Sequence, residues 1–295
     1  MNILIFGAGN CGRLLAENVF KQKHHLLGFV DNDLAKRGQR IALDFFLTGG
    51  GGGEFPIFAP DDLKKINFDE IIIGTFTGFY EIPEQLVQMG IPQEKINTSF
   101  VQQSVLAREA FVEDFAQEFG KDEGSIAELG VYRADFARKM NAVFPNKTFY
   151  LLDTFEGFSP NDLNQNEAMG NAVGAKHFAN TSVDLVLNKM PFPQSCRIIK
   201  GYFPQTARQI DENERFLFVN LDADLYAPIL AGLEFFYPKM VEGGVILIHE
   251  YFSKGYLGVQ QAVNEFMQQY HLQAWHKMPI GDHLSIAICK IPRST

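Results

Sequence analysis

Two pairs of polar side chains follow apolar runs in the C-terminal half of this sequence. Asp222 and Asp224 come after Phe216–Leu221, and His249 and Glu250 come after Gly244–Ile248. Ligands bind at the carboxyl edge of strands in open α/β sheets, so acids gathered at two such ends point to a site. A single Asp in a polar turn usually caps or is solvated; two clusters in one sheet are harder to read that way. Glu128 stands near the end of another run, Ile126–Leu129, with Gly130 close behind. A glycine there lets the backbone approach a ligand while the carboxylate meets a cationic group. Asp153 ends the run Thr148–Leu152, where a carboxylate can accept from both hydroxyls of a ribose. Near the N-terminus, Gly7, Gly9 and Gly12 form a G-x-G-x-x-G between a strand signal and a helix signal, and Asp31 ends the next apolar run. That context places helix N–H groups against a pyrophosphate and an acid against a ribose hydroxyl. The alternative is a Rossmann-like domain kept for assembly or substrate docking.

These residues need strands to hold them. Asn2–Phe6, Leu26–Val30 and Phe68–Gly74 read as strands buried on both faces, with helices over Arg13–Lys23 and Ile82–Met89 between them. The glycines from Gly49 to Gly53 read as a mobile loop. Residues 101–124 carry apolar side chains at helical spacing and read as a helical linker, broken at Gly120–Gly124. A second α/β series starts at Ser125, with strands at Ile126–Leu129, Thr148–Leu152, Arg197–Ile199, Phe216–Leu221, Gly244–Ile248 and Leu284–Cys289. The expected fold is α/β: a smaller Rossmann-like domain over 1–100, the linker over 101–124, and a larger doubly wound domain over 125–295.

Composition narrows the function classes. The chain has 295 residues, 46% hydrophobic and 21% charged, as a soluble globular protein does. Its net charge of −9 argues against nucleic acid, which needs clustered Lys and Arg. Three cysteines, Cys11, Cys196 and Cys289, form no CxxC pair, so reduced thiols and a cytoplasmic location are expected. No apolar stretch approaches the roughly 20 residues that span a bilayer. The 28 Phe residues are expected to fill cores. Homo-oligomerisation is left open.

The segments AELGVY, FYLLDTFEGF, IIKGYFPQTA, FVNLDADLYAPILAGLEFFYPKMVEGGVILIHEYF and GVQQAVNEF resemble the macrocin O-methyltransferase (TylF-like) family from about Ile126 to the C-terminus. The resemblance implies a Rossmann-like S-adenosylmethionine (SAM) methyltransferase domain. It also implies an O-methyltransferase, assisted by a divalent cation (Mg or Mn), that acts on the hydroxyl of a sugar: a glycan, a nucleotide sugar or a glycosylated natural product. By position, Glu128, Gly130 and Tyr132 would line the methionine portion of the donor. Asp153, Thr154 and Phe155 would hold its ribose side, and Lys200 and Gly201 would pass the adenine. Asp222, His249 and Glu250 would be metal ligands and Asp224 the general base. His249 and Glu250 stand where the family usually has two aspartates. His is a poor magnesium ligand and could instead be the base. The stretches NILIFGAGNCGRLLAENV, LLGFVDND and FDEIIIGT resemble the N-terminal domains of sugar acyltransferases and some sugar-modifying enzymes.

A sugar hydroxyl is a poor nucleophile near neutral pH, while the donor's sulfonium needs no help in leaving. The work is therefore orientation and proton removal. A cation on oxygen ligands can do part of both, and chelation is then expected to abolish transfer. Two rivals stand. A nucleotide-sugar oxidoreductase would use Gly7–Gly12 for NAD, but no Tyr in the chain has Lys at i+4, the pair such enzymes use. A non-catalytic binding module would keep the fold without turnover; Ala134, where another glycine is common, keeps that reading open. Among the other histidines, His24 and His25 read as surface, His177 as part of a segment over 159–190 that caps the acceptor site, and His283 as the start of the last strand.

Overall fold

Short apolar runs closed by glycine or an acid become parallel strands in both halves of the chain. The computed structural model describes residues 1–43, 53–76, 78–160, 162–163, 178–253 and 255–291. The expected loop at Gly49–Gly52 and His177 lie outside these residues. The chain divides into two compact units, Met1–Val105 and Leu106–Thr295.

The first unit contains β1 (Asn2–Phe6), α1 (Asn10–Lys21), β2 (His25–Val30), β3 (Arg40–Leu43), β4 (Gly53–Phe58), β5 (Glu70–Ile73), α2 (Glu81–Gln88) and β6 (Ile96–Asn97). Its sheet has the order β3-β4-β2-β1-β5-β6, parallel except for β3 against β4. Apolar clusters cover both faces, one with Ile3, Ile5 and Phe29 and the other with Leu4, Phe6 and Ile73. β3 and β4 were not read from the sequence: they are a short antiparallel pair beside the glycine run, without the continuous apolar stretch of a two-face-buried strand.

Helix α3 (Ser99–Phe119) crosses the division between the units. It contains no Gly or Pro, and Asn97 Oδ1 accepts from Ser99 N–H at its start. The segment read as a linker thus begins at Ser99 and ends at Phe119. From Leu106 onward it belongs to the second unit, where Val112 and Phe115 join the core.

The second unit continues with β7 (Ser125–Leu129), α4 (Asp135–Val143), β8 (Phe149–Asp153), α5 (Val183–Lys189), β9 (Cys196–Lys200), β10 (Phe216–Leu221), α6 (Tyr226–Phe236), β11 (Met240–Ile248), α7 (Leu257–Gln269), β12 (Lys277–Pro279) and β13 (Ile286–Cys289). Its sheet runs β12-β13-β11-β10-β7-β8-β9; β13 pairs antiparallel with both β12 and β11, and the other pairs are parallel. Rings of Phe111, Phe115, Phe144 and Phe218 pack on one face of this sheet and Phe203, Phe216, Phe235 and Phe236 on the other. Each such buried ring contributes about 1.5–3 kcal/mol of transfer free energy. Part of the phenylalanine excess is therefore core, while Phe119 and Phe252 are exposed.

The last strand starts at Ile286, not Leu284. Asp282 Oδ1 accepts from the N–H groups of Leu284 and Ser285, which commits His283–Ser285 to a turn, with His283 at φ +64°. β12 carries Pro279 and sits at the sheet edge, where a missing N–H costs nothing. Among the described residues, no helix is long and apolar enough to cross a membrane.

Candidate active site

The chain order reverses between β7 and β10. Strands β8 and β9 lie beyond β7 on one side, and β11 and β13 beyond β10 on the other. Such a switch point opens a crevice at the carboxyl ends of the two central strands. Non-glycine residues in the left-handed region gather where the strands finish: Tyr132 (φ +46°) and Ala134 (+64°) after β7, Phe155 (+57°) after β8, Asp224 (+59°) after β10 and Glu250 (+60°) after β11. Each costs of order 1–3 kcal/mol, and strain of this kind clusters at binding sites.

Gly130, at φ +89°, turns the chain out of β7. A Cβ on it would lie 2.1 Å from the Asp222 carbonyl oxygen, so the turn rests directly on the backbone after β10. Asp153 pins the same turn. Its Oδ2 accepts from Val131 N–H (2.8 Å) and Tyr132 N–H (2.7 Å), and its Oδ1 accepts from Phe155 N–H (2.7 Å). A carboxylate has about four acceptor positions, so capacity remains for a ribose hydroxyl. Gly201 N–H bonds the Asp153 carbonyl, and Thr154 Oγ1 donates to the Gly157 carbonyl. Phe155 is buried, while Lys200 pairs with Glu156 at 3.1 Å in an exposed position. The Tyr132 ring packs on Phe178 (4.8 Å between centroids), which meets Phe158 edge-on, and Tyr132 Oη donates to Asn180 Oδ1 (2.7 Å).

Strand register places Glu128 opposite Asn220. Both are buried among apolar neighbours, Glu128 at 2% exposure. Asn220 Nδ2 donates to Glu128 Oε1 at 2.7 Å, and Glu128 Oε2 is buried with no hydrogen-bond partner. A buried acceptor left open is costly unless a ligand satisfies it. Burial pushes the Glu128 carboxyl well above the ordinary carboxylate range, with Asp222 adding to the rise and Arg108 and Asn220 opposing it.

Arg108, from α3, completes the row. Its Nη2 donates to Asn220 Oδ1 and to Asp222 Oδ2, each at 2.9 Å, and its guanidinium lies 4.1 Å from the centre of the Phe136 ring. Burial works against ionisation of Asp222, but His249 and the Arg108 guanidinium outweigh it and hold the carboxyl below its usual value. Asp224 goes the other way: burial, then the carboxylates of Asp222 and Glu250, push it well up.

His249 Nδ1 lies 2.8 Å from Ser285 Oγ, and Ser285 Oγ donates to Asp282 Oδ2 at 2.5 Å. Since the serine proton goes to Asp282, the hydroxyl accepts from His249. When neutral, the imidazole carries its proton on Nδ1 and keeps the Nε2 lone pair free. Nε2 is 3.6 Å from Glu250 Oε1. Ser285 and Asp282 are each 1% exposed.

The structure thus brings together Glu128, Gly130, Tyr132, Asp153, Thr154, Phe155 and Gly201 around one turn system, and Asp222, Asp224, His249 and Glu250 around the β10 and β11 ends. The expected cation does not fit the arrangement. Asp222 already pairs with a fixed positive charge, and among the described residues no group of three or more His, Cys, Asp or Glu is placed to hold a metal ion. Sequence reasoning missed Arg108, Asn220, Ser285 and Asp282. Asn220 left a signal, a polar residue inside the apolar run FLFVNL; Arg108 left none, because a charge on a helix usually faces solvent.

In the first unit, Gly7 turns at φ +115°, and a Cβ on Gly12 would fall 1.9 Å from the Gly7 carbonyl oxygen. The glycines hold α1 tightly against β1. Asp31 accepts from Ala8 N–H (3.1 Å), Asp33 N–H (2.9 Å) and Lys36 Nζ (2.9 Å).

Residues 103–280 match the model of the macrocin-O-methyltransferase (TylF) family. The chain belongs to that family. It is a SAM-dependent O-methyltransferase, and residues 1–97 match the C2185-like N-terminal domain. Among solved structures, this family member is similar to the O-methyltransferase NovP, with 19% identity, 63% of this chain and 80% of that one covered, and a TM-score of 0.52. It is also similar to CalS11, a calicheamicin methyltransferase, with 18% identity, 71% and 86% covered, and a TM-score of 0.55. At these identities the likeness speaks for the fold. No curated protein sequence matches the chain.

Proposed function

We propose that this methyltransferase acts on a sugar hydroxyl, with the donor seated on the β7 turn and the acceptor against the β10 and β11 ends. The observation that carries the seating is the open oxygen of Glu128. A buried carboxylate with one unpaired oxygen, beside a glycine turn at the switch point, suits the ammonium of an amino-acid-bearing donor. Asp153 has acceptor capacity for the ribose, and the rings of Tyr132, Phe158 and Phe178 form an apolar flank nearby. The sugar class rests on family membership and on the polar acceptor side, which suits a polyhydroxyl group more than an apolar one.

SAM supplies a methyl group on a sulfonium. The chain's residues orient the acceptor and take its proton. Asp224, held toward its protonated form, would hydrogen-bond an acceptor oxygen. His249, fixed through Ser285 and Asp282, presents Nε2 to the reacting hydroxyl. With SAM bound, its S–CH3 bond would break as the acceptor O–CH3 bond forms, His249 Nε2 would take the hydroxyl proton, and S-adenosylhomocysteine (SAH) would be the product to release.

The test is titration of SAH by calorimetry into wild type and Glu128→Gln. Wild type is expected to bind. The variant is expected to lose about 1.5–3 kcal/mol, roughly ten- to hundredfold, since a charged partner of the ammonium is gone. Equal affinity in both would remove Glu128 from the donor seat.

A further inference from the structure

One carboxylate at the acceptor edge is already held by a cation that belongs to the chain. Arg108 Nη2 bonds Asp222 Oδ2 and Asn220 Oδ1 at 2.9 Å each, and its side chain is 11% exposed. The guanidinium face is covered by Phe136 at 4.1 Å, so it has little freedom to withdraw. Arg carries its charge at every accessible pH and presents it in a planar fork. A divalent ion bound to Asp222 would have to sit beside that fixed charge. Of the other two expected ligands, Glu250 lies 3.6 Å from the His249 imidazole, whose Nδ1 is taken up by Ser285 and whose Nε2 stays open.

We propose that Arg108 is the resident cation of this site, and that its guanidinium, in place of a divalent metal ion, fixes Asp222 beside the acceptor. Arg108 acts through Asp222 and is a positioning residue. It also ties the strand-end acid to Asn220, and through Asn220 to Glu128, so one row of hydrogen bonds runs from the acceptor side to the donor side. The helix read from the sequence as a linker thereby supplies a working part of the site. The inference rests on the transferase reading above and deepens it.

The test uses MnCl2 as probe on the full chain, followed by the electron paramagnetic resonance signal of free Mn2+, with SAH titrations run in parallel in excess chelator. Wild type is expected to leave the Mn2+ signal undiminished and to bind SAH equally well with and without chelator. Arg108→Gln, which removes the charge and frees Asp222, is expected to gain Mn2+ binding. Arg108→Lys is expected to lack it, because the charge is restored. An arginine that only braced the helix would give no such gain. Stoichiometric Mn2+ binding by wild type overturns the proposal, and so does equal Mn2+ behaviour in folded Arg108→Gln and Arg108→Lys. If the Gln variant does not fold, the wild-type and Lys titrations decide. Loss of SAH binding by wild type would instead strike the transferase reading, so the two failures are distinguishable.

Discussion

At the scale of single residues, the site depends on a carboxyl group kept in an unfavourable place. Glu128 is buried, and its carboxyl is pushed well above the ordinary range, first by burial and then by Asp222. A folded-state value above the unfolded one means that the folded chain binds the extra proton. The stability this contributes is full below the ordinary carboxylate value of about 4.3 and is lost as pH rises through the raised one. A cationic donor reverses the balance, because an ammonium favours the ionised carboxylate. Donor binding should therefore release a proton over the window between the bound and free values, and SAH affinity should rise with pH there. Calorimetry in buffers of different ionisation heat reads the release directly. Zero release in wild type, or the same release in Glu128→Gln, would contradict it.

At the scale of elements, the strand ends carry the argument. The turn after β7 is built on Gly130, whose φ of +89° and 2.1 Å clearance to the Asp222 carbonyl admit no side chain. Gly130→Ala should cost at least about 1–3 kcal/mol from the backbone alone, more if the turn lifts away. The expected outcome is a lower melting temperature together with weakened SAH binding; an unchanged melting temperature would mean that the turn is looser than it looks. These elements were largely legible in the sequence, because a strand buried on both faces must be a continuous apolar run and the acid that ends it stands out. Glu128, Asp153, Asp222 and Asp224 were found that way. Their partners were not. Which N–H groups Asp153 accepts from depends on how the turn closes, and Arg108 stands on a helix whose other charges, such as Glu109 and Glu113, pair with Lys139. The relay from Asp282 through Ser285 to His249 joins residues 36 apart in sequence, and no local pattern announces it.

At the scale of the whole molecule, every side chain named at the donor and acceptor edges comes from Leu106 or beyond, within the second unit. A chain lacking residues 1–97, which leaves α3 whole, is expected to keep wild-type SAH affinity. Loss of binding by a folded truncation would give the first unit a part in donor capture. That unit keeps a glycine-rich βαβ start, but its Asp31 already serves Ala8, Asp33 and Lys36. Sequence pattern revealed the fold of this unit; what its edge binds depends on partners that the pattern does not encode.

The turn that seats the donor lies on the peptide that carries Asp222. If the donor sits on that turn, occupying the first half of the crevice is expected to settle the floor of the second, which predicts that the methyl donor enters first, the alcohol second, and the demethylated nucleoside leaves last. SAH should accordingly compete with the donor and act noncompetitively toward the alcohol in steady-state product inhibition.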